Sequence, residues 1–184
     1  MSVIDISGID SLLVERAARI NMLVLDVDGV LTDGRLYFDN LGNEMKAFST
    51  RDGLGLTSLQ SQGIQLALIT GRQSEIVAQR AAQLGITQVY QGRNDKLNAF
   101  HELLSDTGMD EQNICFAGDD WIDLPVLDRV GLAVTVADAD DVVKNRVHWV
   151  TSRKGGRGAV REICDLILAA RGLDQAVLDG ILNQ

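Results

Sequence analysis

Apolar residues are grouped in two ways along the chain. Predominantly apolar runs occupy 21–25, 64–69, 113–117 and 131–136, with a weaker one at 87–90. A run without polar alternation marks a strand buried on both faces, as in a parallel sheet. Between the runs, apolar residues recur at helical spacing. Within 9–19, Ile9, Leu12, Leu13 and Ala17 share one face and predict a short amphipathic helix ahead of the first strand. Gly63 and Gly85 each close a periodic stretch, where a left-handed residue ends a helix. Strands alternating with helices in this way imply right-handed crossovers and an α/β, Rossmann-like doubly wound parallel sheet.

Two segments depart from the alternation. Residues 34–38 and 44–48 flank Asp39-Asn40-Leu41-Gly42-Asn43, predicting a β-hairpin over about 34–50 that projects beside the end of the first strand. Gly155-Gly156-Arg157-Gly158 predicts a flexible loop leading into a helix over 159–170, followed by a peripheral C-terminal tail over 172–184.

Composition sets the scale and removes some function classes. With 184 residues, 46% hydrophobic, the chain buries one substantial core, so a single domain over 1–184 is expected. A formal net charge of −9 disfavours nucleic-acid and anionic-membrane partners, and an anionic substrate then needs a local cation or a metal. No apolar stretch reaches the roughly 18 residues of a membrane span, and Met1-Ser2-Val3-Ile4-Asp5 has no basic leader, so a cytoplasmic address is expected. Cys115 and Cys164 lie in apolar and helical patterns without a CxxC spacing, and read as buried reduced thiols. His101 and His148 lack an HExxH-like context, which removes zinc chemistry.

Chemistry enters at the strand ends. In an open α/β sheet, ligands sit beyond the carboxyl ends of the strands. There the chain places Asp26 and Asp28 after the first run, Thr70-Gly71-Arg72 after the second, and Gly118-Asp119-Asp120 with Asp123 after the fourth; Lys96 opens the helix that follows the weak run. Clustered carboxylates repel unless a cation intervenes. All the candidate ligands are oxygens, which suits Mg²⁺. On a strand end, alternate residues point the same way, so Asp26 and Asp28 face one substrate while Val27 enters the core. One carboxylate can attack phosphorus while the other serves as acid and then base. Alone, a DxDG string equally describes helix caps and loop bends; four ordered elements on one edge favour the site.

This ordered set resembles the haloacid dehalogenase superfamily of aspartate-nucleophile phosphotransferases, from about residue 22 to about 170. The residues carrying the likeness run Asp26-Val27-Asp28-Gly29-Val30-Leu31-Thr32-Asp33-Gly34, Arg51-Asp52-Gly53, Ile69-Thr70-Gly71-Arg72, Gln91-Gly92 and Gly155 to Glu162. The stretches from Asp33 to Thr70 and from Arg72 to Lys96 are too short for a separate cap domain, so the resemblance is to capless members. It implies a Mg²⁺-dependent phosphomonoesterase acting on a sugar-acid phosphate, an eight-carbon 3-deoxy sugar acid used for lipopolysaccharide. Asp26 would be nucleophile and metal ligand, Asp28 general acid and base and a carbonyl ligand, and Asp119 the other metal carboxylate. Thr70 and Lys96 would bind the transferring phosphoryl group. Arg72, Arg51 and Arg157 would be substrate-binding, and Asp123 and Asp120 would support the metal shell, with helix capping the alternative for Asp120. The resemblance also implies a homotetramer built around the hairpin, with the glycine-rich loop and the tail gating substrate.

Three other readings share these features. A nine-carbon sialic-acid-like 9-phosphate would suit the same motifs. A non-catalytic protein could retain the fold and a phosphate pocket. A response-regulator-like phosphoacceptor also uses a strand-end Asp, a Thr and a Lys, although Asp28 favours hydrolysis over a lasting phosphoryl mark.

Overall fold

The structure is a computed structural model and describes residues 3–183. Its centre is a six-stranded, all-parallel sheet of strands β1 (Met22–Leu25), β4 (Gln65–Ile69), β5 (Gln88–Tyr90), β6 (Ile114–Ala117), β7 (Leu132–Thr135) and β8 (Trp149–Val150), in the order β5-β4-β1-β6-β7-β8. The five expected strands are present, and β8 adds a sixth on the edge beside β7. The hairpin forms β2 (Tyr37–Phe38) and β3 (Glu44–Met45), shorter than the expected arms, with Tyr37 opposite Met45.

Both faces of the central strands are covered, which explains why their sequences do not alternate. Leu23 and Leu25 point into one core with Leu56, Leu59, Ile163 and Ile167; Met22 and Val24 point into the other with Phe100, Leu103 and Phe116. Helices α1 (Ser11–Ala18), α2 (Thr50–Ser61), α3 (Glu75–Gln83) and α7 (Ala159–Ala170) cover the first face. Helices α4 (Lys96–Thr107), α5 (Leu124–Leu127) and α6 (Asp141–Lys144) cover the second. This is the expected doubly wound architecture; among the described residues, the hairpin is the only sheet outside the central one. Gly63 and Gly85 take φ +79° and +68°, as their places after α2 and α3 require.

Helices α2 and α7 pack against each other, and two residues of the Arg51-Asp52-Gly53 segment and its surroundings explain how. Asp52 is 1% exposed; its carboxylate accepts Arg161 N at 2.7 Å and Gly158 N at 3.3 Å, capping α7 from a neighbouring helix. A Cβ on Gly55 would lie 3.0 Å from Arg161 Cδ and 3.1 Å from Cys164 Cβ, so its absence permits the close approach. The tail contains α8 (Asp174–Leu182), anchored where the buried Asp174 carboxylate accepts Ile4 N at 2.9 Å.

Candidate active site

The first site loop is shaped by hydrogen bonds to backbone. Asp26 N donates to Ala117 O at 2.9 Å, extending the ladder and fixing Asp26 at the carboxyl edge of β1. Val27 is fully buried. Leu31 N and Thr32 N both donate to Val27 O at 3.0 Å, turning the chain back, and the Thr32 hydroxyl receives Gly29 N and Gly34 N at 3.4 and 3.3 Å. Gly29 has φ +106°, and a Cβ there would collide with the Asp119 carboxylate. Glycine is required at this position on both counts.

Asp119 and Asp123 arrive from β6. Asp120 caps the short 3-10 turn Trp121–Asp123 through its side chain, accepting Trp121 N at 2.7 Å. The Asp123 carboxylate turns back, and its Oδ2 accepts Asp119 N at 3.0 Å and Asp120 N at 3.2 Å. The other oxygen, Oδ1, lies 2.6 Å from Lys96 Nζ, and the same ammonium is 2.9 Å from Asp26 Oδ1. Asp123 therefore organises the loop and the lysine, both of its oxygens being engaged by these groups. The helix-capping alternative for Asp120 is seen in this contact to Trp121 N.

Electrostatics make this edge attractive to a cation. Carboxylate oxygens of Asp26, Asp119 and Asp123 lie within 4.8 Å of one another. Burial pushes Asp26 up to about 6 even against Lys96; burial and the negative charges of Asp26 and Asp123 push Asp119 up to about 8. Burial alone would lower Lys96, but Asp26 and Asp123 outweigh it and hold the ammonium above its ordinary value. Asp119 Oδ1 is buried without a hydrogen-bond partner. An all-oxygen donor set with an orphaned carboxylate oxygen fits a hard divalent cation.

Around this centre, Thr70 is 2% exposed at the end of β4, its N donating to Tyr90 O at 2.9 Å. Arg72 extends outward, 45% exposed in its side chain, with Nη2 at 3.2 Å from Glu44 Oε1. Motif reading missed Glu44 and Lys46: the Lys46 ammonium pairs with Asp28 Oδ1 and lies 3.3 Å from Glu44 Oε1. Arg51 and Arg157 are exposed, and no described residue takes a hydrogen bond or ion pair from either side chain. The glycine-rich loop differs from the flexible segment expected. Gly155 is buried, with its N on Asp138 Oδ1 at 3.0 Å, and Gly156 N bonds Val30 O at 3.0 Å. A side chain on Gly155 would strike Gly29 O. The loop therefore clamps the Asp26–Thr32 turn from behind.

Residues 82–163 match the family model for haloacid dehalogenase-like hydrolases. The chain is 51% identical over 158 residues to the 3-deoxy-D-manno-octulosonate 8-phosphate phosphatase of Yersinia pestis, covering 86% of this chain and 84% of that one. It is 49% identical over 164 residues to that of Escherichia coli strain K12, covering 89% and 87%. Among solved structures, the phosphatase of the same name from Moraxella catarrhalis, in complex with magnesium ion, phosphate ion and KDO, superposes with a TM-score of 0.90 at 38% identity, covering 92% of this chain and 97% of that one. On identity and coverage of this extent, the chain belongs to the 3-deoxy-D-manno-octulosonate 8-phosphate phosphatases, a family of haloacid dehalogenase-like hydrolases.

Proposed function

We propose that the protein hydrolyses 3-deoxy-D-manno-octulosonate 8-phosphate to the free sugar acid and phosphate, with Mg²⁺ as cofactor. The observation that carries the reading is the buried edge of Asp26, Asp119, Asp123 and Lys96, with an orphaned Asp119 oxygen, in a chain about half identical to phosphatases of that name. Asp26, Asp119 and the Asp28 carbonyl would hold Mg²⁺, which would supply positive charge against the repulsion between carboxylates and phosphate.

An Asp26 carboxylate oxygen attacks phosphorus in line, and the bond from phosphorus to the sugar oxygen breaks. Asp28 donates its proton to that oxygen, leaving an aspartyl-phosphate on Asp26. Asp28, now a carboxylate, takes a proton from water as the water oxygen attacks phosphorus, and the Asp26–phosphorus bond breaks to release phosphate. An ammonium has three donors, and Lys96 uses two on Asp26 and Asp123. The third, with the Thr70 hydroxyl, is available to the phosphoryl oxygens. Arg72, Arg51 and Arg157 are the cations we assign to the sugar-acid end. Asp123 and Asp120 support the metal loop from outside it.

We further propose a homotetramer built on the hairpin, an assignment supported by its exposed apolar residues, and a role in lipopolysaccharide precursor supply in the cytoplasm. Among the described residues, no helix is long and apolar enough to cross a membrane. A phosphate-release screen over sugar-acid phosphates, with and without chelator, tests metal, reaction and substrate together. Faster release from a nine-carbon 9-phosphate than from the eight-carbon ester would refute the named substrate. Asp26→Asn should be inactive; wild-type turnover by that variant would remove the covalent mechanism.

A further inference from the structure

The hairpin brings a buried cation to Asp28. The side chain of Lys46, just after β3, is 1% exposed, and its ammonium is bonded to Asp28 Oδ1. Glu44 Oε1 braces the same ammonium at 3.3 Å, and Glu44 Oε2 accepts the Ser74 hydroxyl at 2.7 Å, tying the hairpin to the start of α3. Lysine heads ordinarily stay in water, and withdrawing one is costly unless its partners are well placed. Here one ammonium sits between two carboxylates and has little charge left for a substrate, unlike the half-exposed Arg72. Its effect falls on Asp28. With Oδ1 held, Asp28 Oδ2 is buried without a hydrogen-bond partner, and Arg72 Nε lies 3.9 Å from it.

We propose that Lys46 is a positioning residue: it locks Asp28 Oδ1 so that Oδ2 is presented first to the leaving oxygen and then to water, with Glu44 as its brace. The inference rests on the Asp28 role given above. A residue acting this way matters only where the leaving group needs a proton. The test compares wild type with Lys46→Met on the sugar-acid phosphate and on p-nitrophenyl phosphate, whose leaving group departs as a stable anion. Lys46→Met should lower kcat for the sugar ester by about 10²-fold, at the lower end of what a general acid contributes. KM should change little, p-nitrophenyl phosphate should suffer far less, and Lys46→Arg should recover part of the loss. Equal losses on both esters, no loss, or a loss confined to KM would overturn the inference. If melting shows that Lys46→Met does not fold, Glu44→Gln is read on the same pair of esters by the same criterion. Wild-type turnover is a separate readout: if the eight-carbon ester is not a substrate, the substrate assignment fails, and the leaving-group comparison is made on whichever alkyl phosphate wild type hydrolyses.

Discussion

At the scale of single residues, Lys96 is placed where helix physics alone would not put it. It is the first residue of α4, whose positive dipole end disfavours a cation, and it is 1% exposed. Only the carboxylates of Asp26 and Asp123 make that burial tolerable, so Asp123 carries structural weight as well as placing the lysine. Asp123→Ala would strip one partner from a buried pair and leave Asp119 N and Asp120 N without their acceptor. The expected loss is about 3–5 kcal/mol in urea unfolding, typical of breaking a buried pair from one side; Asp123→Asn, which keeps an acceptor, should lose less. An Asp123→Ala variant as stable as wild type would contradict this. The raised carboxyls add a pH dependence. In metal-free protein, Asp26 at about 6 and Asp119 at about 8 bind protons more tightly folded than unfolded, where the usual value is 3.8. The resulting stabilisation is full below about 4 and is lost as pH rises through about 6 and then about 8. Mg²⁺ binds the ionised forms, so its stabilising effect should grow across the same interval. Melting temperatures at pH 5 to 8.5, with chelator and with Mg²⁺, should diverge as pH rises; a constant gap would mean these carboxyls do not hold the metal.

At the scale of elements, α7 depends on a cap supplied from another helix. Asp52→Ala would leave the Arg161 and Gly158 N–H groups without acceptors in a buried setting, at a cost of about 1–3 kcal/mol. Denaturant unfolding should register this loss with KM for substrate little changed, whereas an unaltered midpoint would show that the cap is dispensable. Asp52 also marks the boundary of what could be read beforehand. The continuous apolar runs disclosed the buried strands, and the strand-end rule put Asp26, Lys96 and Asp119 on one edge, where the structure brings them together, because both depend on local sequence. Strand β8 went unseen because it is a two-residue edge strand with little apolar length. Asp52 looks like an ordinary acid in the first turn of a helix; its true partners lie more than a hundred residues away. Lys46 was hidden for a related reason: its meaning arises from the hairpin folding back on Asp28. The glycine-rich loop was misread as flexible because glycine signals both freedom and close approach, and here Gly155 is packed against Gly29.

At the scale of the whole molecule, the hairpin is out of balance with the body it serves. It pairs through only two residues per strand, and such a ribbon has little stability alone. It exposes large apolar side chains: Leu41 is 87% exposed, Met45 57% and Phe38 55%, with Leu36 also exposed. Inward it is tied by Lys46 to Asp28 and by Glu44 to Ser74 and Arg72, so the arm that needs support also carries groups bonded to the site. Packing these apolar residues against further copies of the chain would remove that surface from water and stiffen the arm. If the proposed tetramer is built this way, Phe38→Glu combined with Leu41→Glu should dissociate it, with light scattering reporting a smaller mass than for wild type. The reaction should slow as well, because an unsupported hairpin no longer fixes Lys46 beside Asp28. The two effects should share one concentration dependence in dilute wild-type protein, with activity falling as the assembly comes apart. A wild-type chain that scatters as a monomer at full activity, or a double variant that keeps the wild-type mass, would show that the arm is held by other means.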